Sequence, residues 1–120
     1  MTESDHQIAF FQWVKIMSGR DPRLASIFSV PNGGYRSKVT GARMRAEGAL
    51  SGVWDIFVPV PVAPHAGLWI EMKCGKNKLT PQQVSFRQSV GDGYLWVICY
   101  TYDEAIRTVS DYLGIVSGLR

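Results

Sequence analysis

Trp54-Asp55-Ile56-Phe57-Val58 and Gly67-Leu68-Trp69-Ile70-Glu71-Met72-Lys73 are two apolar runs of strand length, and each carries an acid. A charged group in a buried strand is costly unless it is paired or bound to a metal. Glu71 lies sixteen residues after Asp55, and Lys73 follows two residues later. Alternation along a strand puts Glu71 and Lys73 on one face. Two carboxylates from adjacent strands can hold a hard divalent cation through oxygen. A lysine beside them can position water or offset charge on a phosphate, so the set points toward metal-dependent phosphodiester hydrolysis.

Outward from these runs, the rest of the chain divides cleanly. Residues 5–18 are predicted as a helix with Ser4 or Asp5 as cap and Ile8, Phe11, Trp13, Val14, Ile16 and Met17 as its apolar stripe. Ile27–Val30 is a first strand, stopped by the turn Pro31-Asn32-Gly33-Gly34. A basic helix covers 37–47 with Gly48 at its end, and strands follow at 53–59 and 67–74. The proline-rich 59–64 leaves the sheet. Thr80-Pro81 opens a helix over 81–90, a wholly apolar strand at 94–100 is expected at the sheet centre, and a last helix covers 102–113. The order αβαββαβα predicts an α/β fold, a mixed β-sheet flanked by helices, in one domain over 1–120.

Composition narrows the classes. Apolar residues make up 46% of the 120, which supports a packed core. No run approaches the ~20 apolar residues of a membrane span, and no membrane partner is expected. The polar start Met1-Thr2-Glu3-Ser4-Asp5-His6 lacks the pattern of a signal peptide, so a cytoplasmic location is expected. Cys74 and Cys99 fit no zinc spacing and read as reduced, mostly buried thiols. Net charge is +3, with Arg36, Lys38, Arg43 and Arg45 close together, Lys73, Lys76 and Lys78 close together, and acids near the C-terminus. A basic side facing phosphates is the expectation.

With these pieces in order, the chain resembles the VRR-NUC family of the PD-(D/E)xK nuclease superfamily, whose small stand-alone members are typical of bacteriophages and bacteria. The resemblance rests on Glu3-x-x-His6-Gln7, Val30-Pro31-Asn32-Gly33-Gly34, Gly52-Val53-Trp54-Asp55-Ile56, Ile70-Glu71-Met72-Lys73 and Leu79-Thr80-Pro81-Gln82-Gln83. Trp54 departs from it, since the family usually has proline before the aspartate. As an apolar strand residue at the mouth of a site, Trp54 could touch a base or sugar.

The resemblance implies a restriction-endonuclease-like fold and a Mg²⁺- or Mn²⁺-dependent DNA endonuclease, in a bacterial cell or phage-infected host. It implies Asp55 and Glu71 as metal ligands with the Met72 carbonyl, Lys73 as the group that orients attacking water, and Gln83 directed at the site. Glu3, with Asp5 as its rival, would bind a metal-bound water or a second cation. His6 and Gln7 rank below these as candidates and read as polar helix residues. Asn32 and Gly33 would approach phosphate, while Arg36, Lys38, Arg43, Arg45, Lys76 and Lys78 would contact the DNA backbone. Branched DNA is the expected substrate, a four-way (Holliday) junction first, cut by a homodimer. Flap nicking, nonspecific cutting and a non-catalytic DNA-binding module are the competing functions.

Overall fold

The computed structural model describes residues 1–31 and 37–116. Helix α1 (Glu3–Met17) starts earlier than expected because Thr2, and not Ser4 or Asp5, is its cap. The Thr2 hydroxyl accepts from Asp5 N–H at 3.1 Å and the Asp5 carboxylate accepts from Thr2 N–H at 2.9 Å, closing a capping box. Its buried stripe is narrower than predicted: Phe10, Val14 and Met17 point inward, while Ile8 and Ile16 are 56% and 75% exposed. A short 3₁₀ turn at Pro22–Ser26 follows, capped by Asp21.

Strands β1 (Phe28–Ser29), β2 (Ile56–Val58), β3 (Leu68–Met72) and β4 (Leu95–Cys99) form one sheet in that order. β1 and β3 flank β2 antiparallel, and β4 runs parallel to β3. The parallel step is made by helix α3 (Pro81–Val90), which starts at a second capping box between Thr80 and Gln83 with Pro81 in the first turn. Helices α2 (Lys38–Ala46) and α4 (Tyr102–Leu113) complete the expected order.

Register sorts the side chains onto two faces. Ile56, Val58, Leu68, Ile70 and Met72 are all at most 1% exposed and form the core with α1 and α4. Burying each such side chain contributes about 1.5–3 kcal/mol. Phe57, Trp69 and Trp96 lie on the other face, where Phe86 of α3 packs edge-on to both tryptophans. Trp69 stacks between Phe57 and Trp96, with ring centroids at 4.3 and 5.9 Å.

Two expectations need correction. β4 lies at a sheet edge, not at the centre. Its sequence is apolar throughout because both faces are covered: Leu95 and Val97 adjoin the core, and Trp96 joins the aromatic stack. β2 is shorter than 53–59, because the chain bends at Asp55. Strand parity from Ile56 would send Trp54 to the α1/α4 side, yet its ring meets Trp96 at 4.9 Å on the α3 side. Of the two free thiols, Cys99 is buried and Cys74 is only half-buried.

Gly52 holds α3 against the strand entry. Its φ is +90°, and a Cβ there would stand 2.4 Å from the backbone carbon and oxygen of Gln82. Gly48 has φ +104° with open space around it. Gly52→Ala is therefore expected to cost about 2–4 kcal/mol in urea unfolding, as strain and overpacking combine, and Gly48→Ala only about 1–2 kcal/mol from strain. Equal costs would show that Gly52 is not a packing contact.

Candidate active site

The site forms where β2 ends against β3. Pairing of Ile56 with Ile70 brings Asp55 beside Glu71 one step further on, and the two residues clasp each other. Asp55 N–H donates to Glu71 Oε1 at 3.1 Å, and Met72 N–H donates to Asp55 Oδ2 at 3.0 Å. Each acid thus caps backbone that the shortened β2 leaves unpaired. The N–H and C=O of one strand residue point to the same edge, so the Met72 carbonyl also faces the Asp55 side.

Glu71 Oε2 takes two further donors. Lys73 Nζ lies 3.2 Å away, from the same strand face, and both side chains are buried. Gln83 Nε2 donates at 2.7 Å from the first turn of α3, while its Oε1 accepts from Thr80 N–H at 2.9 Å. The capping box therefore presets the Gln83 amide before it reaches the carboxylate. The Gln83 carbonyl is itself gripped by Trp54 Nε1 at 3.1 Å.

Of the two readings of Trp54, its burial supports the apolar one. At 1% exposure it cannot touch a base or sugar, and it braces α3 from below instead. Nothing in the one-dimensional pattern marks this, because the bend at Asp55 decides which way the ring turns. Asn77 was missed too. Its Nδ2 lies 3.3 Å from Glu3 Oε2, joining the loop after β3 to α1.

The structure separates the rival helix acids. Glu3 lines a hollow of about 390 Å³ with Gln7, Ser29, Pro31 and Asp55, whereas Asp5 is spent on the α1 cap. His6 turns to α4, where Nδ1 accepts Tyr102 N–H at 3.1 Å. Lys38, Arg43 and Arg45 on α2 and Lys76 and Lys78 after β3 are exposed, and none makes an ion pair among the described residues. Gln82 is exposed on α3. Asn32, Gly33 and Arg36 lie outside the described residues.

Burial, above all, pushes the Glu71 carboxyl up to about 7; the Asp55 charge adds to the rise, and Lys73 and Gln83 oppose it. Burial also raises Asp55, against the Met72 N–H and Lys73, and the Glu3 charge raises it further. Asp55 and Glu71 thus share one ammonium. Among the described residues no three His, Cys, Asp or Glu side chains could hold an ion together. The oxygen set is instead two carboxylates with a backbone carbonyl beside them. That fits Mg²⁺ or Mn²⁺, since Mg²⁺ is commonly bound by one or two carboxylates and completes its shell from water and phosphate.

A solved structure of a VRR_NUC domain protein superposes on the chain with a TM-score of 0.75, at 23% identity, over 97% of this chain and 91% of that one. The mixed sheet and its flanking helices are thereby the restriction-endonuclease-like fold of that domain. No protein-family model matches the chain, and no curated protein matches it.

The carboxylate pair makes stability pH-dependent in a defined direction. Between pH 4.5, the ordinary value, and about 7, the unfolded chain gives up the Glu71 proton that the folded chain keeps. The unfolded state then binds fewer protons, and stability falls as pH rises. In EDTA, Tm should drop from pH 5 to pH 8, and Glu71→Gln should flatten that slope. A wild-type Tm rising over this interval would contradict the buried pair.

Proposed function

We propose that the chain is a VRR-NUC-type nuclease, a Mg²⁺- or Mn²⁺-dependent DNA endonuclease acting in a bacterial or phage-infected cell. The observation that carries this is the clasp of Asp55 and Glu71 with Lys73 at the end of β2 and β3. A divalent cation held by Asp55, Glu71 and the Met72 carbonyl would supply positive charge to a phosphate oxygen and acidify water.

The chain's own groups divide the remaining work. Gln83 and Asp55 N–H hold the two Glu71 oxygens, so the carboxylate keeps one orientation. Met72 N–H does the same for Asp55. Lys73 Nζ is buried beside these acids, where its charge can orient water and oppose charge developing on phosphorus. Water oxygen bonds to phosphorus and releases a proton to solvent, the bond to the 3′ oxygen breaks, and solvent protonates the leaving oxygen. The products carry 5′-phosphate and 3′-hydroxyl ends. Glu3, across the hollow from Asp55, would hold a water in the same site.

The basic side chains of α2 and of the loop after β3 supply backbone contacts, which add salt-dependent affinity and read no sequence. Discrimination then falls on DNA shape. Four-way junctions are the proposed substrate, and a symmetric homodimer would offer two sites to a two-fold junction.

Cleavage of a panel of junction, flap, fork, duplex and single strand should require Mg²⁺ or Mn²⁺, stop in EDTA and concentrate on the junction. Lys73→Ala and Asp55→Asn should each lower the rate about 10²-fold or more while binding in EDTA persists. Cutting of flaps or duplex alone would overturn the junction assignment, and binding without any cutting would leave a DNA-binding module.

Cation binding has a readout apart from cleavage. Saturating Mg²⁺ should raise Tm at pH 8, with about 2.7 kcal/mol of stabilisation at a hundredfold excess over Kd. Glu71→Gln should abolish the increment. An unchanged Tm in wild type would sink the metal assignment.

A further inference from the structure

Three hollows share wall residues in series. The hollow at Glu3 and Asp55 reaches Pro31. Pro31 also walls the next, which passes Arg45 to Leu50 and Ser51. Those two residues open the third, which follows α3 past Gln82, Ser85 and Ser89. The three α3 positions recur at helical spacing and so share one helix face. The shared walls set the hollows end to end, from Glu3 and Asp55, past Arg45 of α2, to α3, and taken together they are treated as one groove.

Several donors in the groove's lining are unspent. The hydroxyls of Ser51, Ser85 and Ser89 make no hydrogen bond among the described residues, and Arg45 makes no ion pair there. The Arg45 guanidinium lies back over Gly41, 3.3 Å from where a Cβ would stand. Helix α2 buries none of its residues, and Val39 is 80% exposed. It carries Lys38, Arg43 and Arg45 and no acid between Lys38 and Ala46. A helix with this balance, unused by the core, complements a polyanion. The third hollow, about 360 Å³, is at the small end of sites that hold one drug-sized ligand, roughly 300–1,000 Å³. Its apolar residues beside hydroxyls suit a nucleotide whose base is unpaired.

We infer that this groove seats a single DNA strand, the one that parts from its partner at a branch. The inference rests on the nuclease proposal and adds to it a seat for a strand left unpaired at the branch point. Phosphates lie against Arg45 and the serine hydroxyls, as guanidinium and hydroxyl donors commonly serve phosphate oxygens. Leu50 and Phe86 supply apolar surface to the sugars and bases.

Fluorescence anisotropy in EDTA tests this with full-length protein that cannot cut. The probes are a blunt duplex and the same duplex with a single-stranded tail of about ten nucleotides, at fixed salt. Wild type should bind the tailed form about tenfold more tightly. Arg45→Glu with Ser89→Glu should erase that preference, whereas Arg107→Glu, exposed on α4 across the sheet, should leave it within about twofold. Both groove positions are exposed, so Tm should hold; if it falls, Ser85→Glu alone repeats the test. Equal wild-type affinity for the two probes, or a preference that survives the groove substitutions, overturns the inference. Metal-dependent cutting without tail preference would keep the nuclease and discard the groove. Tail preference without cutting would do the reverse.

Discussion

Asp55 and Glu71 are like charges held side by side in a partly dry place, and the surrounding structure is organised to tolerate that contact. Each carboxylate accepts a backbone N–H from the other's neighbourhood, which ties their orientation to the β2–β3 pairing. One buried ammonium, Lys73, offsets part of the charge. Removing one partner of such a set leaves an uncompensated buried charge, at about 3–5 kcal/mol. Burial therefore raises both carboxyls, since a proton relieves charge that the fold leaves unbalanced.

The aromatic face of the sheet serves the same centre. Trp69, Trp96 and Phe86 dock α3, and Trp54 grips the carbonyl of Gln83. Gly52 allows the first turn of α3 to approach the strand entry without a clash. The Gln83 amide reaches Glu71 because that docking is rigid and because the capping box has already set the side chain. The helix is thus a brace for a carboxylate as much as a crossover between parallel strands.

Element by element, the legible parts were those with strong local chemistry. Thr80-Pro81 announced α3, and the apolar run around Glu71 announced β3, whose alternation gave the shared face with Lys73. The α1 cap was displaced to Thr2 because several polar residues compete at that end, and local pattern cannot rank them. β4 looked central because hydrophobicity records cover on both faces, and a helix and an aromatic stack cover a strand as well as neighbouring strands do.

What the sequence by itself determined is the element order and the identity of the Asp55, Glu71 and Lys73 set, since periodicity and capping are properties of neighbours in the chain. Only the tertiary structure decided the bend at Asp55, the burial of Trp54, the choice of Glu3 over Asp5 beside the hollow, and the meeting of Pro31 and Arg45 in the wall of one hollow. Those depend on distances between residues far apart in the chain, which packing sets and local pattern does not encode.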